Sequence, residues 1–262
     1  MKALIVTFFG EVRKGLLISW TYRANTLVSL LTIGFVFLAI GFLIGDGQLD
    51  PARLSSMFMG YLTWFYALSA ISDLSWGIRG EINAGTLEQM SMSTSPIGVV
   101  LLGRSFANLM ITTVQILIQS LAMSWLVGIR LPMTWTGVLI LAVTLIGVYG
   151  FGFMLAGATL VFKQVESFSN LFQNILMFMN GTLLPVALMP GWLAAISYTL
   201  PTTQGVVVLR RVVLNGQSLL AVWQDGNLLW LIVHSAIYFA AGWMIFVYCE
   251  RVAKARGSLG QY

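Results

Sequence analysis

Long apolar runs separated by short polar connections make up most of the chain. Each run is long enough to cross about 30 Å of hydrocarbon as a helix. Helices are expected because every backbone polar group in lipid must be satisfied internally, and the alternating pattern of a barrel strand is absent. The sequence therefore predicts an all-α integral membrane protein with a single domain over residues 23–262. Its six transmembrane helices are predicted over residues 24–45, 56–78, 98–127, 135–162, 167–188 and 227–249.

Residues 1–22 carry a different pattern. Lys2, Glu11, Arg13 and Lys14 interrupt their apolar positions, so they lack the unbroken core of a cleavable signal peptide. The pattern predicts an N-terminal amphipathic helix that lies in the cytoplasmic membrane interface. The alternative is a frayed cytoplasmic leader. The apolar positions that recur at helical spacing are Leu4, Ile5, Phe8, Phe9, Val12 and Leu16.

The connection over residues 189–226 is too apolar for an ordinary solvated loop. Pro185, Pro190 and Pro201 divide it into pieces that are too short to span a membrane. Residues 192–200 and 205–214 are predicted to form two short helices. Because irregular backbone at membrane depth must be covered by protein, we expect an external re-entrant helical hairpin between spans five and six.

Composition agrees with membrane residence. Of the 262 residues, 58% are hydrophobic and 9% are charged, against about 25% charged in a soluble domain. A soluble fold would lack material for its surface, and a chain rich in aromatic and β-branched residues does not remain disordered. An integral membrane protein is the remaining class.

The basic residues predict the orientation. The net charge is +5, and cytoplasmic Lys and Arg explain such a charge better than nucleic-acid binding does. We predict a multi-pass protein of the cell membrane with both termini in the cytoplasm. In that orientation four of the fourteen basic residues lie outside, namely Arg53, Arg130, Arg210 and Arg211. The other ten lie inside, in agreement with the positive-inside rule.

Polar side chains inside the spans are the candidate lining of a translocation path. Asp73 lies near the cytoplasmic end of span two, as a gating contact or as a helix-end carboxylate that pairs with Arg79. Polar stripes in spans three and five indicate either hydrogen bonds between helices or a path lining. We favour span five for the path. The span-three stripe is Arg104, Asn108, Thr112, Gln115 and Gln119, and the span-five stripe is Asn170, Gln173, Asn174, Met177 and Gly181.

The sequence offers little for covalent chemistry. It has one cysteine, Cys249, and one histidine, His234, so an internal disulfide, a cysteine metal cluster and a two-histidine site are all excluded. The string GxxxxGK[ST] is also absent, so this sequence does not bind ATP in the manner of a P-loop. We therefore expect no cofactor and no metal in this chain.

The most specific string lies between spans two and three, in a stretch that we call the motif segment (residues 79–96). It begins at Arg79 and contains Glu81, Gly85, Thr86, Leu87, Glu88, Met90 and Pro96. This string resembles the first cytoplasmic loop of the type 2 ATP-binding-cassette (ABC) exporter permeases, whose pattern is E-x-x-x-G-T-L-E-x-L followed by Ser/Thr-Pro. Met90 replaces the usual leucine of that pattern, and Pro96 matches its closing proline.

The chemistry of the motif segment suits a docking element. Gly85 can end one helix, and Thr86 can cap the next by accepting a backbone N–H. Leu87 and Met90 offer an apolar pair for a cleft on a partner. Glu81 and Glu88 offer negative charge to a basic surface.

The resemblance implies a cytoplasmic coupling helix that docks on a separate ABC ATPase, where ATP and magnesium bind. It also implies a second permease copy, expected as a homodimer, and transport of a substrate across the bilayer. A hydrophobic or amphipathic drug, antibiotic or lipid-like compound is the favoured cargo. The alternatives are a secondary transporter or channel, and an intramembrane enzyme.

Overall fold

A computed structural model describes residues 2–93, 95–129, 134–162, 165–183 and 185–257 of the chain. All regular elements in these ranges are helical, which confirms the predicted all-α class. A 3-10 turn at Val186–Leu188 and a π turn at Arg210–Leu214 accompany the α-helices. In chain order these are α1 (Lys2–Thr21), α2 (Arg23–Ile44), α3 (Pro51–Asn83), α4 (Leu87–Ser91), α5 (Ile97–Val127), α6 (Trp135–Phe162), α7 (Glu166–Met179), α8 (Gly191–Thr199), α9 (Thr203–Leu209), α10 (Leu219–Gln224) and α11 (Asn227–Ala255).

Five of the described helices are long and apolar enough to cross a membrane, namely α2, α3, α5, α6 and α11. They correspond to five of the six predicted spans. The remaining predicted span, over 167–188, contains α7, which has 14 residues. At 1.5 Å per residue α7 is about 21 Å long, which is shorter than the hydrocarbon core. The six-span count therefore stays a prediction.

The central helix of the bundle is α3. The apolar window of α3 is 78% buried, whereas those of α2 and α11 are each 22% buried. Phe58, Ile71 and Leu74 are fully buried on α3, which packs against α5, α6 and α7. The helix begins at Pro51 because the side chain of Asp50 accepts hydrogen bonds from the first free backbone N–H groups.

Glycines bring α6 and α11 into close contact. A Cβ on Gly147 would lie 3.1 Å from Ser235 Cα, and a Cβ on Gly157 would lie 2.9 Å from Phe246 Cα. Small residues allow such close approach between membrane helices. Because the contacts advance in the same direction along both helices, α6 and α11 run parallel to each other.

The helix predicted within residues 1–22 is present as α1. It packs along the first half of α5, where a Cβ on Gly15 would lie 2.7 Å from Ala107 Cβ. Val12 is buried in this contact region, whereas Ile5 and Phe9 remain exposed. One face of α1 is thus held by the bundle, and its placement at the membrane interface stays a prediction.

Helix α7 ends where the backbone turns. Asn180 follows its last residue and accepts a 2.9 Å hydrogen bond from the backbone N–H of Thr182, while Gly181 adopts a φ of +86°. After the proline-containing turn, α8 and α9 with the π turn coincide with the two short helices that the sequence predicts. The sequence analysis did not predict α10, which precedes α11.

Candidate functional site

More residues of the motif segment are helical than the sequence predicts. Arg79 and Glu81 lie on the last turns of α3, which continues to Asn83 rather than ending before the motif. Gly85 then turns the chain with a φ of +68°, as its proposed role as a helix end requires. The expected capping by Thr86 is wrong, because its side chain caps no backbone N–H of α4. The Thr86 hydroxyl instead donates to the Glu81 carboxylate.

The two apolar motif residues face the chain itself. Leu87 is 2% exposed and packs with Ile82 and Ile97, and Met90 contacts the same cluster. On α4 and the residue that follows it, the exposed side chains are Glu88, Gln89 and Met92, and Met92 is 73% exposed. The exposed side of α4 is therefore the one that carries Glu88 and Met92. The sequence analysis did not single out Met92.

Arg104 is the centre of an ion-pair cluster that joins three elements. Its Nε donates to Glu11 Oε2 at 2.9 Å, and its Nη2 donates to Glu81 Oε1 at 2.7 Å. Glu81 also accepts the bond from Thr86. We call Glu11, Glu81, Thr86 and Arg104 the Arg104 cluster. The three charged side chains are each about one-fifth exposed, so their interaction is weakly screened by solvent.

A hydrogen bond supports the same arrangement. The hydroxyls of Thr7 and Ser95 lie 2.8 Å apart, which links α1 to the end of the motif segment. The Ser93 hydroxyl donates to the backbone oxygen of Ser95 at 2.9 Å. Together with the Arg104 cluster, these bonds connect α1, α4 and the start of α5. Glu81 is thus held within the chain, and Glu88 is the exposed motif carboxylate.

The polar stripe of α5 forms hydrogen bonds between helices. Ser69 of α3 lies 2.6 Å from the Thr112 hydroxyl and accepts a 2.9 Å bond from Asn108 Nδ2. Gln119 is buried against α2, where its Nε2 would lie 2.4 Å from a Cβ on Gly34. These members of the stripe therefore stabilise the contacts of α5 with α3 and α2.

The polar stripe of α7 points in two directions. Gln173 is buried against α3, where its Nε2 donates to Ser72 Oγ at 3.0 Å and its backbone oxygen accepts from Trp64 Nε1 at 3.0 Å. Asn170 and Asn174 are exposed on another face, and Met177 is half-buried against the core. The structure therefore separates Gln173 from the two exposed asparagines.

Asp73 lies partly buried on α3 and makes no ion pair with a described residue. Its Oδ2 is buried and accepts no hydrogen bond from the described part of the chain. The pairing with Arg79 that the sequence suggested is absent from these contacts. A buried carboxylate oxygen without a donor is costly, and this makes Asp73 an unusual feature of the bundle.

The family profile of the ABC-2 type transporters matches residues 8–214. The chain belongs to the ABC-2 type transporter family. The match starts in α1, includes the motif segment and ends with the π turn at Arg210–Leu214. None of the curated proteins compared with the chain matches it. This ABC-2 chain is thus a multi-pass membrane component of a transporter rather than a catalytic domain, and membership implies an ABC ATPase partner.

In this ABC-2 chain, a partly buried arginine holds the segment that follows α9 against the bundle. Arg210 donates from Nε and Nη2 to the backbone oxygen of Ser56, at 3.1 and 3.0 Å, and from Nη2 to that of Thr182 at 3.4 Å. Burial lowers the pKa of the Arg210 guanidinium to about 10, so it remains charged at neutral pH. The sequence analysis counted Arg210 only as an external positive charge.

Proposed function

We propose that this chain is the membrane subunit of an ATP-driven ABC exporter, coupled through its motif segment to a separate ATPase that binds ATP and magnesium. The Arg104 cluster is the observation that carries the proposal. Because Arg104 binds both Glu81 and Glu11, a displacement of the motif segment reaches α1 and α5 together. Nucleotide binding would then bias a two-state equilibrium of the membrane helices.

We propose that the ATPase docks on the exposed side of α4. Glu88 carries a charge there, and Met92 offers an adaptable apolar contact. The buried position of Leu87 favours this side over the apolar pair that the sequence suggested. Leu87 then has a different role, which is to anchor α4 on the bundle.

We propose six membrane crossings with both termini in the cytoplasm. The parallel direction of α6 and α11 supports a return crossing between Phe162 and Asn227. Helix α7 runs antiparallel to α3, because Trp64 contacts Gln173 whereas Ser75 contacts Ser169. This direction supports α7 and the following turn as the return crossing. The charge bias of the loops supports the cytoplasmic side for both ends.

We propose a homodimer in which α7 faces the second copy or an aqueous path between the copies. Asn170 and Asn174 are exposed on α7, and amide groups that face hydrocarbon are costly. A disulfide test is direct because Cys249 is the sole cysteine. In a Cys249→Ala background, Asn174→Cys should cross-link two copies, whereas Ile237→Cys on the exposed face of α11 should not.

The proposed cargo is a hydrophobic or amphipathic compound, since the membrane helices offer mainly apolar and amide groups. The test uses inside-out membrane vesicles that contain the chain and its ATPase. Added ATP should drive accumulation of an amphipathic fluorescent dye, and a non-hydrolysable ATP analogue should not. Dye transport that follows an ion gradient and ignores ATP would contradict the proposal.

A secondary transporter or channel is the second candidate, and Asp73 is the observation that favours it. An ion-coupled carrier needs an ionisable group in its membrane helices, and the buried Oδ2 of Asp73 accepts no hydrogen bond from the residues that the structure describes. Under that hypothesis Asp73→Asn should abolish gradient-driven transport. Under the ABC hypothesis ATP-dependent transport should survive this substitution.

A further inference from the structure

A crevice of about 860 Å³ separates α5 from α6. Helix α3 forms its floor, and the two walls meet where Tyr149 Oη donates to the backbone oxygen of Ser105 at 3.1 Å. The crevice opens to the outside of the chain, because Leu121 on one wall is 72% exposed and Val138 on the other is 51% exposed. Leu102, Leu109, Leu117, Leu141 and Leu145 are typical of the lining.

The lining of the crevice is uncharged over its described length. Four of its hydroxyl groups, on Thr63, Tyr66, Thr113 and Tyr149, bond within the chain, whereas the buried Ser105 Oγ has no partner among the described residues. Tyr66 Oη donates to Thr113 Oγ1 at 3.0 Å, and Thr113 in turn donates to a backbone oxygen one helical turn earlier. Thr63 makes the same kind of bond on α3. An occupant therefore finds mainly apolar contacts, which favours an apolar occupant over ions and polar solutes.

The shape of the crevice suits a chain-like occupant. The wall on α5 runs from Leu102 to Ser124, about 33 Å at 1.5 Å per residue, close to the thickness of the hydrocarbon core. Acyl chains make up the hydrocarbon core that this wall spans, so an extended acyl chain can lie along the wall over its whole length.

We propose that this crevice is a binding site for an acyl chain of a bilayer phospholipid. The proposal goes beyond the exporter function and depends neither on the ATPase nor on the cargo. A bound acyl chain fills the space between α5 and α6 with matching apolar contacts.

Photolabelling of the full chain tests the proposal. The chain is reconstituted in vesicles of phosphatidylethanolamine and phosphatidylglycerol that contain phosphatidylcholine with a diazirine on its acyl chain. Adducts are then mapped by mass spectrometry. Leu117 lines the crevice and is 39% exposed, whereas its neighbour Ile118 lies outside it and is 49% exposed. We expect severalfold more labelling at Leu117, and equal labelling would overturn the proposal because it indicates bulk lipid only.

A variant with a larger side chain in the crevice, which we call a filling variant, provides the second test. Ala142 is an exposed residue of the crevice wall, and Ala236 is an exposed residue of α11 outside it. Ala142→Phe should cause a severalfold loss of labelling at Leu117, and Ala236→Phe should cause none. If the Ala142→Phe variant is not inserted into the membrane, Ser120→Phe on the opposite wall of the crevice takes its place. An unchanged Leu117 signal in a correctly inserted filling variant would overturn the proposal. A disulfide between two copies of a Leu117→Cys variant, made in the Cys249→Ala background, would also overturn the proposal.

Discussion

Arg104 Nε lies 2.9 Å from Glu11 Oε2 although 93 residues separate them in the sequence. The same guanidinium donates to Glu81 Oε1 at 2.7 Å. A single side chain therefore holds the N-terminal helix and the end of α3 against α5. Hydrogen bonds that involve charged groups contribute about 1.5–3 kcal/mol each, so the Arg104 cluster is strong enough to move as a unit.

Arg104→Gln should uncouple transport and destabilise the bundle. It removes the cation and leaves the Glu11 and Glu81 carboxylates without it, and we expect a loss of about 1.5–3 kcal/mol in the free energy of unfolding. The measurements are thermal unfolding in detergent and ATP-driven dye accumulation in vesicles. Arg13→Gln is the control, because Arg13 is exposed on α1. Normal coupling in a stable Arg104→Gln variant would refute this role.

Leu87 and Met92 should respond to substitution in opposite ways. Leu87→Ala removes a buried side chain and should lower the free energy of unfolding by about 2–5 kcal/mol. Met92→Asp changes an exposed residue, so it should leave the melting temperature unchanged and weaken retention of the ATPase during copurification. Unchanged retention in Met92→Asp would contradict the proposed docking side.

Gly85→Ala and Gly80→Ala form a matched pair on either side of the end of α3. Gly85 has a φ of +68°, and an L-residue with a Cβ adopts this conformation at a cost of about 1–2 kcal/mol. A Cβ on Gly80 meets open space within the helix, where alanine should stabilise by about 0.5–1 kcal/mol. Thermal unfolding distinguishes the two signs, and ATP-driven transport should fall only in Gly85→Ala.

Apolar runs predicted five long helices because a membrane helix is defined by its own residues. The limits of α7 were not predictable in the same way. It ends at Met179 because Asn180 and Gly181 provide a local turn, although the apolar run continues. The sequence predicts that span two ends at residue 78 because the residues that follow are polar, yet α3 continues into the motif segment. Tertiary contacts of Ile82 and Glu81 hold that polar turn as helix.

The side on which a polar residue faces depends on contacts that the sequence does not display. The spacing of Gln173 and Asn174 put both in one stripe, yet Gln173 binds Ser72 of α3 and Asn174 is exposed. Adjacent residues of an α-helix point about 100° apart, so a stripe that includes both of them covers more than one face. The partner of Arg104 was missed because pairing across 93 residues leaves no local pattern.

Arg210 should anchor the connection after α7, and Arg211 should not. Arg210→Met removes the hydrogen bonds to the backbone oxygens of Ser56 and Thr182. Because hydrogen bonds from a charged group contribute about 1.5–3 kcal/mol, we expect a loss of about that size in the free energy of unfolding. Arg211 pairs with Asp225, which is half exposed, and Arg211→Met should cost at most about 1 kcal/mol. Limited proteolysis between residues 186 and 226 should accelerate in Arg210→Met alone. Equal digestion of both variants would contradict the anchor.

The α6–α11 contact should be the least tolerant of added volume. A Cβ on Gly242 would lie 1.8 Å from the backbone oxygen of Gly150, which cannot move without disturbing α6. Gly242→Ala should therefore cost at least about 1–3 kcal/mol through overpacking. Gly77→Ala on α3 is the matched control, because its Cβ meets no atom within 4 Å and helix propensity favours alanine there by about 0.5–1 kcal/mol. Thermal unfolding should move in opposite directions for the two variants, and a tolerated Gly242→Ala would show that α6 and α11 are not packed this closely in the bilayer.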